Sequence, residues 1–158
     1  MSASHNFSAQ DIINANMVGI ARGLSIAMLE LQIQLREMLS HPGSGRLYRG
    51  GRKEQGSERR RSAEGEPPAV DTGTLRMSVQ VRPKKILGTG FMSLVLTGLV
   101  AGVENDARIP RWLEEGTSRM SARPFIAPSL YAVRPRVAKI IELQMKRQID
   151  KLRVRSMP

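Results

Sequence analysis

Any chemistry in this chain has to be done without cysteine and almost without histidine. Cysteine is absent and the two histidines are His5 and His41. A disulfide framework, a thiolate zinc or iron–sulfur site and a thiol nucleophile are therefore excluded. A Ser-His-Asp triad would have to use His5, in the N-terminal tail, or His41, just before Pro42-Gly43, and neither place is a rigid platform for a general base. The paired carboxylates Glu114 and Glu115 are adjacent, and neighbours on a short helix do not face each other. The glycine-rich stretch from Gly43 to Gly65 lacks the G-x-x-x-x-G-K-[ST] order of a phosphate-cradling loop. No set of residues fills the roles an active site needs, so the expectation is a non-enzyme with no catalytic, cofactor-binding or metal-ligating residue and no cofactor.

Charge is the stronger signal. The chain has 158 residues and a formal net charge of +11, from 25 Lys and Arg against 14 Asp and Glu. That exceeds the roughly 2–8 usual for a small soluble domain. It is also uneven: residues 1–40 are slightly acidic, 41–85 strongly basic, 86–118 slightly acidic and 119–158 strongly basic. Arg59, Arg60 and Arg61 in the first basic block, with Arg147 and Lys151 in the second, are the candidates to face DNA phosphates or an acidic protein partner. No uninterrupted apolar run approaches the roughly 20 residues that span a bilayer. Met1–Gln10 has neither the basic nor the apolar region of a signal peptide, so no membrane partner is expected.

The elements that would carry these residues follow from periodicity and punctuation. Residues 1–7 read as a flexible tail. Ser8 and Asp11 fit a capping box opening a helix over 8–40. Ile13, Met17, Ile20, Leu24, Ala27, Leu31, Leu35 and Met38 recur every three or four residues as its core stripe, and Ser40-His41-Pro42-Gly43 ends it. Residues 42–73 are rich in Gly, Pro and Arg and read as a long, mobile basic loop or arm. Residues 74–105 read as β-strands: Leu75, Met77, Val79 and Val81 alternate with polar residues up to Pro83, and Phe91–Ala101 is a second apolar stretch. A short strand is expected at Ile86-Leu87. A short helix spans 109–116, with Pro110 in its first turn, Gly116 as its C-cap and Trp112 as a core anchor, an interface anchor being the alternative. A C-terminal helix spans 128–153, begun by Pro128 and disturbed by Pro135. The expected fold is one α+β domain over 1–158: a long N-terminal helix, a small, mostly antiparallel sheet with the short and C-terminal helices packed on one face, and a long flexible loop between first helix and sheet.

Two ordered blocks carry a family resemblance. Leu113-Glu114-Glu115-Gly116-Thr117 followed by Met120-Ser121-Ala122-Arg123-Pro124-Phe125-Ile126-Ala127-Pro128-Ser129-Leu130 resembles the C-terminal signature of tailed-bacteriophage neck and tail-completion proteins, the head–tail joining proteins related in fold to tail terminators. Upstream, Pro67-Pro68-Ala69-Val70-Asp71-Thr72-Gly73-Thr74-Leu75-Arg76-Met77-Ser78-Val79 resembles that family's other block, and Ser44–Arg49 a segment that often precedes its loop. The resemblance covers roughly residues 8–150. It marks Asp71, Thr72, Gly73, Leu75, Trp112, Glu114, Gly116, Thr117, Arg123, Pro124, Phe125 and Pro128 as motif residues with structural roles. It implies a virion protein forming a homo-oligomeric, commonly hexameric, ring at the head–tail interface, around the DNA channel and between connector or adaptor and tail proteins. A tail terminator capping the tube is the alternative within the family, and a non-specific nucleic-acid-binding protein the alternative outside it. In the residues themselves, Arg123 is expected to pair with a carboxylate such as Glu114, Phe125 to plug the core, and Pro124 and Pro128 to fix the chain.

Overall fold

Ser8 and Asp11 open the first helix. The Ser8 Oγ accepts the Asp11 amide at 3.1 Å, and the Asp11 carboxylate accepts the Ser8 amide at 3.1 Å and its hydroxyl at 2.6 Å. Each side chain thus takes the other residue's backbone donor beside the positive end of the helix dipole, and the Asp11 amide also reaches the Ser8 carbonyl at 3.1 Å. In the computed structural model, which describes residues 7–49, 58–70, 73–81, 99–100 and 108–155, this helix is α1, Ala9–Met38. It is followed by β1 (Leu47–Arg49), β2 (Glu58–Arg60), α2 (Thr74–Ser78), β3 (Gln80–Val81), β4 (Leu99–Val100), α3 (Ile109–Glu115) and α4 (Ile126–Arg155). The chain divides into two compact units. The first holds α1 up to Leu29 and α4 from Arg134 onward; the second holds Glu30–Arg82 and Leu99–Val133.

In the first unit α1 buries small residues. Ala15, Gly19, Gly23 and Ala27 recur every four residues and all four are buried. A Cβ on Gly19 would lie 2.5 Å from the Cα of Met145, and one on Gly23 would lie 2.7 Å from the Cα of Ile141. The two helices therefore touch backbone to backbone, and the order of the pairings makes them antiparallel. Of the expected core stripe, Ala27, Leu31 and Leu35 are buried and Ile20, Leu24 and Met38 half-buried, so the correction falls on its first two members. Ile13 is 50% exposed and Met17 is 46% exposed. The physical reason is that hydrogen side chains at two successive i, i+4 positions let the helices approach closely along their length, and that contact outweighs burial of the bulkier residues. Two residues on from each small position is about 200° around the helix, so Ile13, Met17, Ala21 and Ser25 lie on the side opposite the contact.

In the second unit the buried apolar residues are Leu31, Leu35, Leu39, Val79, Phe125 and Val133. Val79 is tied to α1 by its carbonyl, which accepts from Gln32 Nε2 at 2.8 Å and Arg36 Nη2 at 2.9 Å. The expected α+β architecture is not found: the described residues are mostly helical. Their ladders are β1–β2 and β3–β4, each two-stranded and antiparallel, with no strand longer than three residues. Instead of a strand from Leu75, the chain makes α2. Gly73 takes φ 75°, its carbonyl accepts the Met77 amide at 2.9 Å, and Ser78 Oγ bonds the Leu75 carbonyl at 2.7 Å. Leu75 and Val79, two apart in the alternation, are also four apart, so a helical turn serves them equally; Met77 is left 68% exposed. Ile86-Leu87 and residues 91–98 of the expected strands lie outside the described residues.

Within the expected loop over 42–73 the described residues include a short ladder, and 50–57 and 71–72 lie outside the described residues. β1 pairs with β2 in the register Leu47 with Arg60, Tyr48 with Arg59 and Arg49 with Glu58. The Gly45 amide bonds the Arg61 carbonyl at 2.8 Å, and the Arg61 amide bonds the Arg46 carbonyl at 3.1 Å. Gly43 makes this possible: a Cβ there would strike the Arg61 carbonyl. The apolar-poor composition gave no sign of this ladder because backbone hydrogen bonds, not burial, hold its strands together. At the C-terminal end, α4 begins two residues before Pro128 and runs unbroken through Pro135.

Gly19→Ala and Gly23→Ala test the close approach. In an open helix each would stabilise by about 1 kcal/mol. Here each is expected to lower the thermal midpoint measured by circular dichroism, with Gly19→Val costing about 1–3 kcal/mol, while Ser25→Ala on the opposite side changes stability by no more than about 0.5 kcal/mol.

Candidate functional site

The C-terminal motif block builds one junction in the second unit. Pro110 is buried in the first turn of α3, and the helix stops at Gly116, φ 79°, whose amide bonds the Trp112 carbonyl at 2.8 Å. A Cβ on Gly116 would sit 2.9 Å from the Ala122 amide nitrogen, so the returning chain needs glycine there. Thr117 and Met120 then close a tight turn, amide to carbonyl in both directions at 2.8 and 3.2 Å, and the Arg123 amide bonds the Leu113 carbonyl at 2.7 Å. This return brings the start of α4 to Glu114. Its Oε2 accepts the amides of Phe125 and Ile126 at 2.8 and 2.9 Å, and its Oε1 accepts that of Ala127 at 2.9 Å. Three of the orphan donors at the α4 N-terminus are satisfied by one carboxylate, which also faces the positive end of the helix. Phe125 is fully buried, and Ser129 Oγ bonds its carbonyl at 2.6 Å.

The geometry revises several residue roles. Glu114 is taken by three amides rather than by Arg123, whose Nε is buried without a hydrogen-bond partner. Glu115 turns to solvent and pairs with Arg111 at 2.9 Å, so the two adjacent acids do not converge. Trp112 is not a core anchor: it is 40% exposed, with the Arg108 guanidinium 5.1 Å from its ring centre. Gly73 and Leu75 line a small hollow with Leu39, Pro68 and Val70. Asp71 and Thr72 lie outside the described residues. No cluster of three or more potential metal ligands occurs among the described residues.

Sequence reasoning missed Glu66. Its carboxylate accepts the hydroxyl and amide of Ser44 and, at 2.8 Å, the amide of Ala63, clasping the base of the β1–β2 segment. The Ser44 hydroxyl first, then the Ala63 and Ser44 amides, hold the Glu66 carboxyl below its ordinary value. The only sequence cue was an acid amid arginines with serine upstream.

The candidate basic residues fall in separate places. Arg59 is in β2 by backbone position, Arg60 and Arg61 are exposed in the second unit, and Arg147 and Lys151 are exposed on α4 in the first. The remaining feature is α1. Its 18-residue apolar window has a mean hydropathy of 1.4 and is 22% buried, which makes it long and apolar enough to cross a membrane. This corrects the count of uninterrupted apolar residues, because the apolar character is spread among Asn, Ser and Gln. Its small-residue line, however, packs on the half of α4 that carries Arg134, Arg136, Lys139, Lys146, Arg147 and Lys151, and drawing those charges into lipid is costly. Comparison with known proteins found no matching family model, no matching curated protein and no matching solved structure.

Two outcomes follow. Glu114→Ala should destabilise the chain by about 2 kcal/mol in denaturant melts by stranding three amides, with Glu114→Gln costing less. The Glu66 clasp is complete above the unfolded carboxylate value near 4 and is lost as pH falls through the lowered folded value. The protection of the Ser44 and Ala63 amides, taken relative to their intrinsic exchange rates, should therefore fall on acidification below about pH 4 in the wild type, and be low and nearly insensitive to that protonation in Glu66→Gln.

Proposed function

We propose that this chain is a structural protein of a tailed-phage neck, closing with copies of itself into a hexameric ring at the head–tail interface around the DNA channel; capping the tail tube is the alternative placement of such a ring. The observation that carries the reading is the outward side of α1. Ile13, Met17, Val18 and Leu29, all exposed, lie on the side of α1 away from its Gly19–Gly23 contact, within the first unit. Apolar residues concentrated in this way mark a surface to be covered by another protein. The motif blocks that resemble the neck family supply the identity of that protein as a second copy. In their described parts those blocks make a capped helix junction rather than a reactive centre, as suits a building block. Ring closure needs two different faces on each subunit. The weakly acidic α1 and the strongly basic α4 are unlike in charge, so α1 against a different face of the neighbour is favoured over α4 against α4.

Native mass by light scattering, with electron microscopy of the same sample, tests this. The wild-type chain is expected to form a discrete ring, alone or on addition of neck partners, and Ile13→Glu with Met17→Glu to leave folded monomers. Rings that persist in the double variant, or a wild-type chain that floats with anionic lipid vesicles and never assembles, would overturn the reading.

A further inference from the structure

The β1–β2 ladder gathers arginines that the sequence keeps apart. Arg46 and Arg61 meet through the Arg61 amide and the Arg46 carbonyl, and the strand register places Tyr48 opposite Arg59, Leu47 opposite Arg60 and Arg49 opposite Glu58. The register thus brings the backbone positions of Arg46, Arg60 and Arg61 together at one end of a short two-stranded ribbon. Arg46, Arg60 and Arg61 are exposed. Glu66, the acid at the base of this ribbon, has its oxygens engaged by Ser44 and Ala63. That clasp ties Ser44, just before the first strand, to Ala63, just after the second.

We propose that this ribbon is a polyanion-binding arm that contacts the phosphate backbone of double-stranded DNA without reading its sequence. Guanidinium groups suit phosphate oxygens because they offer paired donors in one plane. Duplex is favoured over single strands because sequence-tolerant binding of single strands uses aromatic stacking platforms, and the whole chain has three Phe, two Tyr and one Trp. The assignment stands whether or not the chain forms a ring.

The test is fluorescence anisotropy of a labelled duplex of arbitrary sequence with the full chain, repeated across about 50 to 200 mM salt. The wild-type affinity should fall linearly with salt on logarithmic axes. The Arg46→Gln/Arg60→Gln/Arg61→Gln variant should flatten that slope by about 3 units, since each phosphate that is no longer neutralised removes about 0.9, while Arg147→Gln/Lys151→Gln leaves it within about 1. No binding by the wild type, an unchanged slope in the ribbon variant, or a loss confined to the α4 variant would each overturn the proposal. So would displacement of the duplex by polyglutamate as effectively as by unlabelled duplex, which would point to an acidic protein partner. Should the ribbon variant fail to fold, arginine modification of the wild type by phenylglyoxal decides the matter. Duplex should shield Arg46, Arg60 and Arg61, and equal modification with and without duplex would contradict the arm.

Discussion

The approach of two helix backbones at Gly19 and Gly23 constrains everything else in the first unit. With Met145 and Ile141 Cα atoms where a Cβ would stand, α1 and α4 have one rotational setting about each other. That setting turns Ala15 and Ala27 inward and Ile13 and Met17 outward. In an isolated subunit this leaves bulky apolar residues in water, at about 25 cal/mol for each Å² left uncovered. A sequence that tolerates this cost at several positions of one helix has a use for the surface. The functional reading begins from that constraint.

The second unit depends on a different economy, in which single polar side chains satisfy several backbone groups. Glu114 takes three amides at the start of α4, Glu66 clasps residues 44 and 63, and Gln32 and Arg36 share the Val79 carbonyl. Few large side chains are fully buried there, Phe125, Leu35 and Val79 among them. A small core backed by such clasps holds its helix junction by directional bonds, which is why the motif residues Glu114, Gly116 and Phe125 occur where they do.

What was legible in the sequence was punctuation: Ser8 with Asp11, the stop after Met38, Pro110 and Gly116 around α3. The facing of α1 was legible at Ala27, Leu31 and Leu35, which are buried, but not at Ile13 and Met17, because pattern reading weights large apolar residues and the decisive signal there was the four-residue recurrence of Ala15, Gly19, Gly23 and Ala27. The alternation from Leu75 to Val81 was ambiguous, since Leu75 and Val79 satisfy both a strand and a helical turn, and Gly73 tipped it. Glu114 was legible as important, yet its partners are backbone amides eleven to thirteen residues away, brought there by a turn that only the three-dimensional path reveals. The β1–β2 pairing was not legible because its strands carry few apolar residues and are joined by backbone hydrogen bonds.

Because the chain has no cysteine, single thiols can be placed along α1 without background. Ala15→Cys, Ala21→Cys, Ser25→Cys and Ala27→Cys are near in size to the residues they replace, and their rates of reaction with a maleimide in the dilute folded chain report directly which line faces inward. The account predicts slow labelling at 15 and 27 and fast labelling at 21 and 25, with the latter pair becoming protected when the chain assembles. Labelling at 15 and 27 as fast as at 21 and 25 would contradict it.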